Sequence, residues 1–210
     1  MNEQLTFTHN AWKREKTLNN TINVELNYFP NCLHHIAYND KKPTVPNSAS
    51  LSEFITRKNH KLDAMNGCIH AIKGGLEKPS EIIIFSHDDV YLKDIDLFNT
   101  ALALIFKDHD FIGRRIYGEC GNLTNPYIML ESFIIKKSLL KILVSNIPEV
   151  HSIEDLPKDL RGSPAPEIFF GNYILRYSKN PYFFEKDQNV MNIPDSLGYQ
   201  HHIKPRGWIE

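Results

Sequence analysis

The spacing of hydrophobic and polar positions changes period several times along the chain, and each change marks an element. From Thr21 to Phe29, TINVELNYF alternates, with Ile22, Val24, Leu26 and Tyr28 to one side, the pattern of a half-buried strand. Residues 34–40, HHIAYND, give a second short strand, and KKPTVPNSAS, with two prolines and small polar residues, a loop. Ser50 and Glu53 then have capping-box spacing. Behind them Leu51, Phe54, Ile55, Leu62, Met65, Ile69 and Ile72 recur at three- and four-residue steps, which predicts a long amphipathic helix closed by Gly74 and Gly75. Residues 81–85, EIIIF, form a continuous β-branched run suited to a central strand covered on both faces, and the run stops at Ser86, His87, Asp88 and Asp89.

Beyond Asp94 the positions Leu97, Ala101, Leu104 and Ile105 predict another helix, 110–117 and 127–135 predict strands, and 138–144 a short helix. Residues 150–166 are rich in proline, glycine and charge and read as an exposed loop. Ile168, Phe169, Tyr173, Leu175 and Tyr177 share one further helix with prolines near its start, and the tail from Asp187 has little periodicity. Helices alternating with strands in this order imply an α/β sandwich around a largely parallel sheet.

Length and composition narrow the class. A chain of 210 residues is expected to form one domain, with 187–210 as a C-terminal tail that contributes to the site. Lys plus Arg number 24 against 25 Asp plus Glu, so no global basic field exists to bind nucleic acid. Cys32, Cys68 and Cys120 are odd in number and lack C-x-x-C spacing, which points away from a disulfide framework and towards a reducing cytosol. The N-terminus has no apolar core of a signal peptide and no stretch has bilayer-spanning length, so a soluble cytoplasmic protein is expected, with peripheral contact at the inner face of a membrane left open.

Chemistry concentrates after EIIIF. Open parallel sheets bind ligands beyond the carboxyl ends of their strands, which is where His87, Asp88 and Asp89 fall. Adjacent carboxylates repel unless a cation or donors offset them, and a hard divalent ion completed by phosphate oxygens suits the pair. The bland reading is a solvated turn before the next helix. Four buried apolar residues and a neighbouring histidine favour the functional one.

With these residues in view, the sequence resembles the GT-A glycosyltransferases, the family 2-like bacterial enzymes in particular. IIIFSHDDVYL is similar to their acidic motif after a strand. KLDAMNGCIHA, headed by Lys61, resembles the segment before that strand, while DFIGRRIYG and ESFIIKKSLL resemble the later strand and basic turn; the likeness runs from Ser50 to Tyr177. It implies a GT-A-like (Rossmann-like) α/β/α sandwich with a mostly parallel central sheet. It also implies transfer of a sugar from a UDP- or other NDP-sugar donor to the hydroxyl of a glycan or other acceptor, with Mn2+ or Mg2+ as cofactor. Ser86 stands where many members carry the first acidic residue of a D-x-D, which leaves His87 or Asp88 for the ribose and Asp89, with Asp88, for the metal. Glu167 in SPAPEIFF corresponds to the late carboxylate that acts as catalytic base, and Arg176 to the arginine following it. His201 or His202 would complete the metal shell. Lys61, Arg114, Arg115, Lys204 and Arg206 would meet the donor's phosphates, arginine bidentately.

Bland readings stand beside these. Glu167 also suits the first turn of a helix through the macrodipole, adjacent histidines are at home in exposed loops, and His34 and His35 receive no role. Two other classes compete: a GT-A remnant that binds nucleotide sugars without turnover, and a metal-dependent phosphohydrolase of the HD type, whose ligands would stand on helices.

Overall fold

The structure is a computed structural model that describes residues 4–11, 14–55, 60–116, 127–148, 150–156, 158, 165–185 and 194–201. Its centre is a seven-stranded sheet. The chain lays down β1 (Leu5–Ala11), α1 (Glu15–Tyr28), β2 (Leu33–Tyr38), β3 (Ala49–Glu53), α2 (His60–Leu76), β4 (Ile82–His87), β5 (Val90–Leu92) and α3 (Ile95–Lys107). It continues through β6 (Phe111–Ile116), β7 (Tyr127–Lys136), α4 (Lys137–Asn146), α5 (Ala165–Tyr177), β8 (Pro181–Glu185) and β9 (Tyr199–His201). The order across the sheet is β3-β2-β1-β4-β7-β6-β8, with β5 and β9 as a separate antiparallel ribbon. All neighbours in the sheet run parallel except that β7 is antiparallel to both β4 and β6.

β4 shows why this is a three-layer molecule. Ile83 and Phe85 point to a core shared with α2, α4 and α5, whereas Ile82 and Ile84 point to one shared with α3 and the flank of α1. A strand buried on both faces needs the continuous β-branched run that EIIIF supplies. α3 begins as its sequence predicts, with the Asp94 carboxylate accepting from the Asp96 and Leu97 amides at 3.0 and 3.1 Å. The central, mostly parallel sheet between two helical layers is the α/β/α sandwich expected from the sequence.

The amino-terminal half departs from expectation in four places. Residues 21–29 belong to the helix α1, not to a strand. The buried set Thr17, Leu18, Thr21, Ile22 and Glu25 has helical spacing, while Tyr28, on the supposed apolar side, is exposed. β1 is wholly buried although four of its residues, Thr6, Thr8, His9 and Asn10, are polar. Ser50 and Glu53 cap no helix. They lie in β3, where the Ser50 and Ser52 hydroxyls bond the two ring nitrogens of His35 at 2.8 and 2.9 Å, and α2 begins at His60. Gly74 does not end α2, which runs to Leu76. A Cβ there would come within 1.9 Å of the His35 ring, so the glycine is a notch that admits the histidine.

Burial lowers the His35 pKa from 6.5 to about 4, with Lys78 adding repulsion. The folded state therefore keeps this ring neutral at pH values where the unfolded chain protonates it. Stability from this group is complete above the unfolded pKa and declines as pH falls towards the folded one. Between pH 7 and pH 5 urea unfolding is expected to show a loss of about 1–2 kcal/mol that His35→Gln lacks. Equal pH slopes for the two proteins would refute this.

Candidate functional site

The strand order reverses between β1 and β4. From β1 the chain moves outward to β2 and β3, then returns to place β4 on the other side of β1, so the carboxyl ends of β1 and β4 flank a crevice. Crevices at such switch points are where open α/β sheets hold ligands. β4 ends on His87, whose ring meets Phe85 edge-on at 5.4 Å, and Asp88 and Asp89 form the turn into β5. One ligand atom from each of the three lies within 4.8 Å of the others. The Asp88 side chain is 2% exposed and that of Asp89 19%, so Asp89 is the carboxylate turned outward.

Arg14, at the start of α1, closes the crevice from the β1 side. Its Nη1 lies 2.7 Å from Asp89 Oδ2 and 3.5 Å from Asp88 Oδ1. The paired carboxylates thus attract a cation even within the chain, which is the behaviour a divalent-ion site needs. An ion binding there competes with this guanidinium. Arg14→Gln is expected to tighten manganese binding about three- to fivefold, matching a partly exposed ion pair of under about 1 kcal/mol. Calorimetric titration of manganese without nucleotide tests this, and unchanged or weaker binding would show that the two cations do not compete.

A buried polar network forms the floor. Ser86 Oγ lies 3.0 Å from His9 Nδ1, and His9 Nε2 and His34 Nε2 lie 3.1 and 3.0 Å from Glu25 Oε2. Burial opposes the charge on Glu25, yet the two imidazoles prevail and hold its carboxyl below the usual range. The network joins β4, β1, α1 and β2 directly beneath His87–Asp89. Above the crevice, β9 pairs with β5 so that His201 stands opposite Val90, one residue past Asp89. The tail therefore reaches the turn through its backbone. The side chain of His201 lies outside the described part of the structure, as do His202, Lys204 and Arg206 altogether.

The remaining sequence-derived residues divide. Arg114 is 1% exposed and its guanidinium binds Glu131 at 2.6 Å and Asp195 at 3.1 Å, so its charge is met within the chain at the carboxyl end of β6. Arg115 lies over Phe183 at 5.3 Å and meets Glu185 at 3.3 Å, on the β8 side of the sheet. Arg176 sits in the last turn of α5 against Tyr177, two residues before Ser178, which bonds Asp110 ahead of β6. It belongs to the amino ends of β6 and β8, the opposite end of the parallel strands from His87–Asp89. Glu167 is in the first turn of α5 and Lys61 near the start of α2; their side chains lie outside the described part. Gly171 of α5 packs on Ile128 near the start of β7, the end of that antiparallel strand that shares an edge with the crevice. The beginning of α5 is thus on the site's side of the sheet.

No family model matches the sequence, and none of the curated proteins compared with it is similar enough to count as a relative. Solved structures are similar. TarS 1–349 of S. aureus matches with a TM-score of 0.51 and 15% identity over 88% of this chain and 58% of that one. The same protein in complex with UDP gives 0.52 and 13% over the same shares. A glycosyltransferase involved in glycosylation of the major capsid of the virus PBCV-1 matches with a TM-score of 0.56 and 10% identity, over 94% of this chain and 92% of that one. The chain has the GT-A fold. It spans under two thirds of the TarS chain but nearly the whole of the viral enzyme.

Within the GT-A fold, the residues that sequence reasoning missed are Arg14, Glu131, Asp195 and the His9–Glu25–His34 group. Arg14 stands in a charged run, KREK, with no periodicity to single it out. Asp195, His9, Glu25 and His34 are polar residues whose burial only the tertiary structure reveals, and Glu131 is singled out only by its meeting with Arg114.

Proposed function

We propose that the chain is a nucleotide-sugar-dependent glycosyltransferase whose donor diphosphate binds over His87, Asp88 and Asp89. The observation that carries this reading is the outward-facing carboxylate Asp89, paired with Arg14 at the β1/β4 switch point of a GT-A fold. The acidic group fits a divalent ion, because its ligand atoms converge and already hold a cationic partner. Asp89 and Asp88, with His87 or a tail histidine, would hold Mn2+ or Mg2+, which neutralises the diphosphate as it leaves. Arg14, released from Asp89, is placed to meet a phosphate oxygen, and the β5–β9 ribbon limits access of water from above.

The donor is a UDP- or other NDP-sugar, in keeping with the UDP complex of the TarS neighbour. The acceptor is a hydroxyl, for which a glycan is the natural source. Glu167, from the first turn of α5, takes the proton of the acceptor hydroxyl as its oxygen attacks the anomeric carbon. Glu167→Gln keeps shape and removes basicity, and is expected to lower kcat about a hundredfold with donor affinity unaltered. Transfer at the normal rate would place the base elsewhere. Among the described residues no helix is long and apolar enough to cross a membrane.

Thermal unfolding against a panel of nucleotides and nucleotide sugars, with and without manganese, tests the reading directly. A ligand that binds only the native state raises the unfolding temperature. A manganese-dependent shift with one nucleotide sugar, followed by its turnover or slow hydrolysis, is expected. Binding without any turnover would mark a non-catalytic binder, and a chain that answers to no nucleotide sugar is not this enzyme.

A further inference from the structure

A second group of ligating side chains lies between the sheet and α1. His9 of β1 and Glu25 of α1 are fully buried, and His34 of β2 is 1% exposed. Both imidazole Nε2 atoms converge on a single oxygen, Glu25 Oε2, at 3.1 and 3.0 Å, and the three ligand atoms lie within 4.8 Å of one another.

Hydrogen bonding alone does not account for this shape. Glu25 Oε1 is buried and accepts no hydrogen bond of good geometry, while two nitrogens crowd Oε2; a carboxylate arranged only to accept hydrogen bonds would use both oxygens. Two nitrogens and one oxygen at this spacing instead form a face of a coordination polyhedron. In tetrahedral zinc sites with bonds of about 2.0–2.1 Å, neighbouring ligand atoms stand about 3.3 Å apart. The outer shell is also built. The other ring nitrogen of His9 lies 3.0 Å from Ser86 Oγ, a hydroxyl able to accept from Nδ1–H and so to accommodate the tautomer whose Nε2 ligates. The His34 ring stacks on Phe7 at 5.6 Å, and the Tyr199 hydroxyl faces Glu25 and Ser86 without a hydrogen bond of good geometry. Cys32 Sγ, a soft donor, lies 3.9 Å from the His34 ring.

We propose that His9, Glu25 and His34 form a buried structural site for a divalent transition ion of the zinc class, separate from His87–Asp89, that ties α1 to β1 and β2. A buried carboxylate requires compensating positive charge, and imidazole and carboxylate together suit zinc while the dication supplies that charge. The site rests on its own geometry and stands whether or not the crevice above it binds nucleotide sugars.

The test is the zinc content of full-length protein produced in zinc-supplemented medium and passed through EDTA, measured by plasma mass spectrometry. About one zinc per chain is expected in the wild type and in Asp89→Ala, and less than about a tenth of that in His34→Gln. X-ray absorption of the wild type should show two imidazoles at about 2.0–2.1 Å, a readout that holds even if His34→Gln fails to fold. Wild-type protein with no zinc, whose unfolding temperature ignores equimolar zinc, overturns the proposal. So does zinc that disappears in Asp89→Ala and persists in His34→Gln.

Discussion

Asp89→Ala is expected to lower sugar transfer about a thousandfold and to remove the dependence of donor binding on manganese, while leaving the protein folded. The size follows from what a metal contributes when it neutralises a departing diphosphate, several kcal/mol of transition-state stabilisation. The selectivity for function follows from position. Asp89 lies in a turn with its side chain 19% exposed, and it pairs with Arg14, itself 33% exposed. Losing a contact of that kind changes stability by a few tenths of a kcal/mol. Asp88, 2% exposed, offers no such clean separation, because its truncation disturbs packing and charge together. Urea unfolding and calorimetry on the same sample decide the matter: a folded variant that binds nucleotide sugar with unchanged manganese-dependent affinity would remove Asp89 from the site.

What the sequence made legible, and what it hid, divides along the sheet. β4, α3, β6, β7, α4 and α5 bury apolar side chains at the period of their own element, so EIIIF, the helix beyond Asp94 and the later helices could be located from pattern alone. The half made of β1, α1, β2 and β3 is built otherwise. Its buried positions include Thr6, Thr8, His9, Asn10, Thr17, Thr21, Glu25, His34 and His35, a polar core. Thr6 and Ser80 share a hydrogen bond of 2.6 Å, Thr8 donates to the Ile84 carbonyl at 3.1 Å, and Thr21 to the Val90 carbonyl at 2.9 Å. A reading that equates burial with hydrophobicity passes over β1 altogether. It then takes the chance alternation of Ile22, Val24, Leu26 and Tyr28 for a strand. The same polar core misled the reading of Ser50 and Glu53, because a hydroxyl that partners a buried histidine and one that caps a helix look alike in one dimension.

The site follows the same division. His87, Asp88 and Asp89 were visible because they end an apolar strand. Arg14 was not, because its significance is a meeting across the switch point with residues more than seventy positions away. Arg114 was visible as a cation but not as a buried one, and no local signal distinguishes an arginine that reaches a phosphate from one that braces a fold.

That difference is measurable, and Arg114→Met is expected to destabilise the protein by about 3–5 kcal/mol, the cost of breaking a buried ion pair from one side. Methionine fills much of the stem's volume, so the loss is electrostatic rather than a cavity. Asp195, 3% exposed, would then keep its charge with the guanidinium gone from Oδ2, while its Oδ1 still accepts from the Leu197 and Tyr199 amides at 2.8 and 3.0 Å. Those two amides shape the turn around Gly198, whose positive φ of 80° and close approach to the Asp94 carbonyl admit no side chain. The turn in turn presents β9 to β5 beside Asp89. Weakening at Arg114 therefore travels to the crevice through structure, not through a lost phosphate contact. Arg114→Met combined with Asp195→Asn removes the stranded charge and is expected to recover part of the stability, a coupling that a double-mutant cycle reads directly. An arginine whose role is to bind the donor would behave oppositely, with Arg114→Met unfolding in urea within about 1 kcal/mol of the wild type and only the nucleotide-sugar affinity reduced.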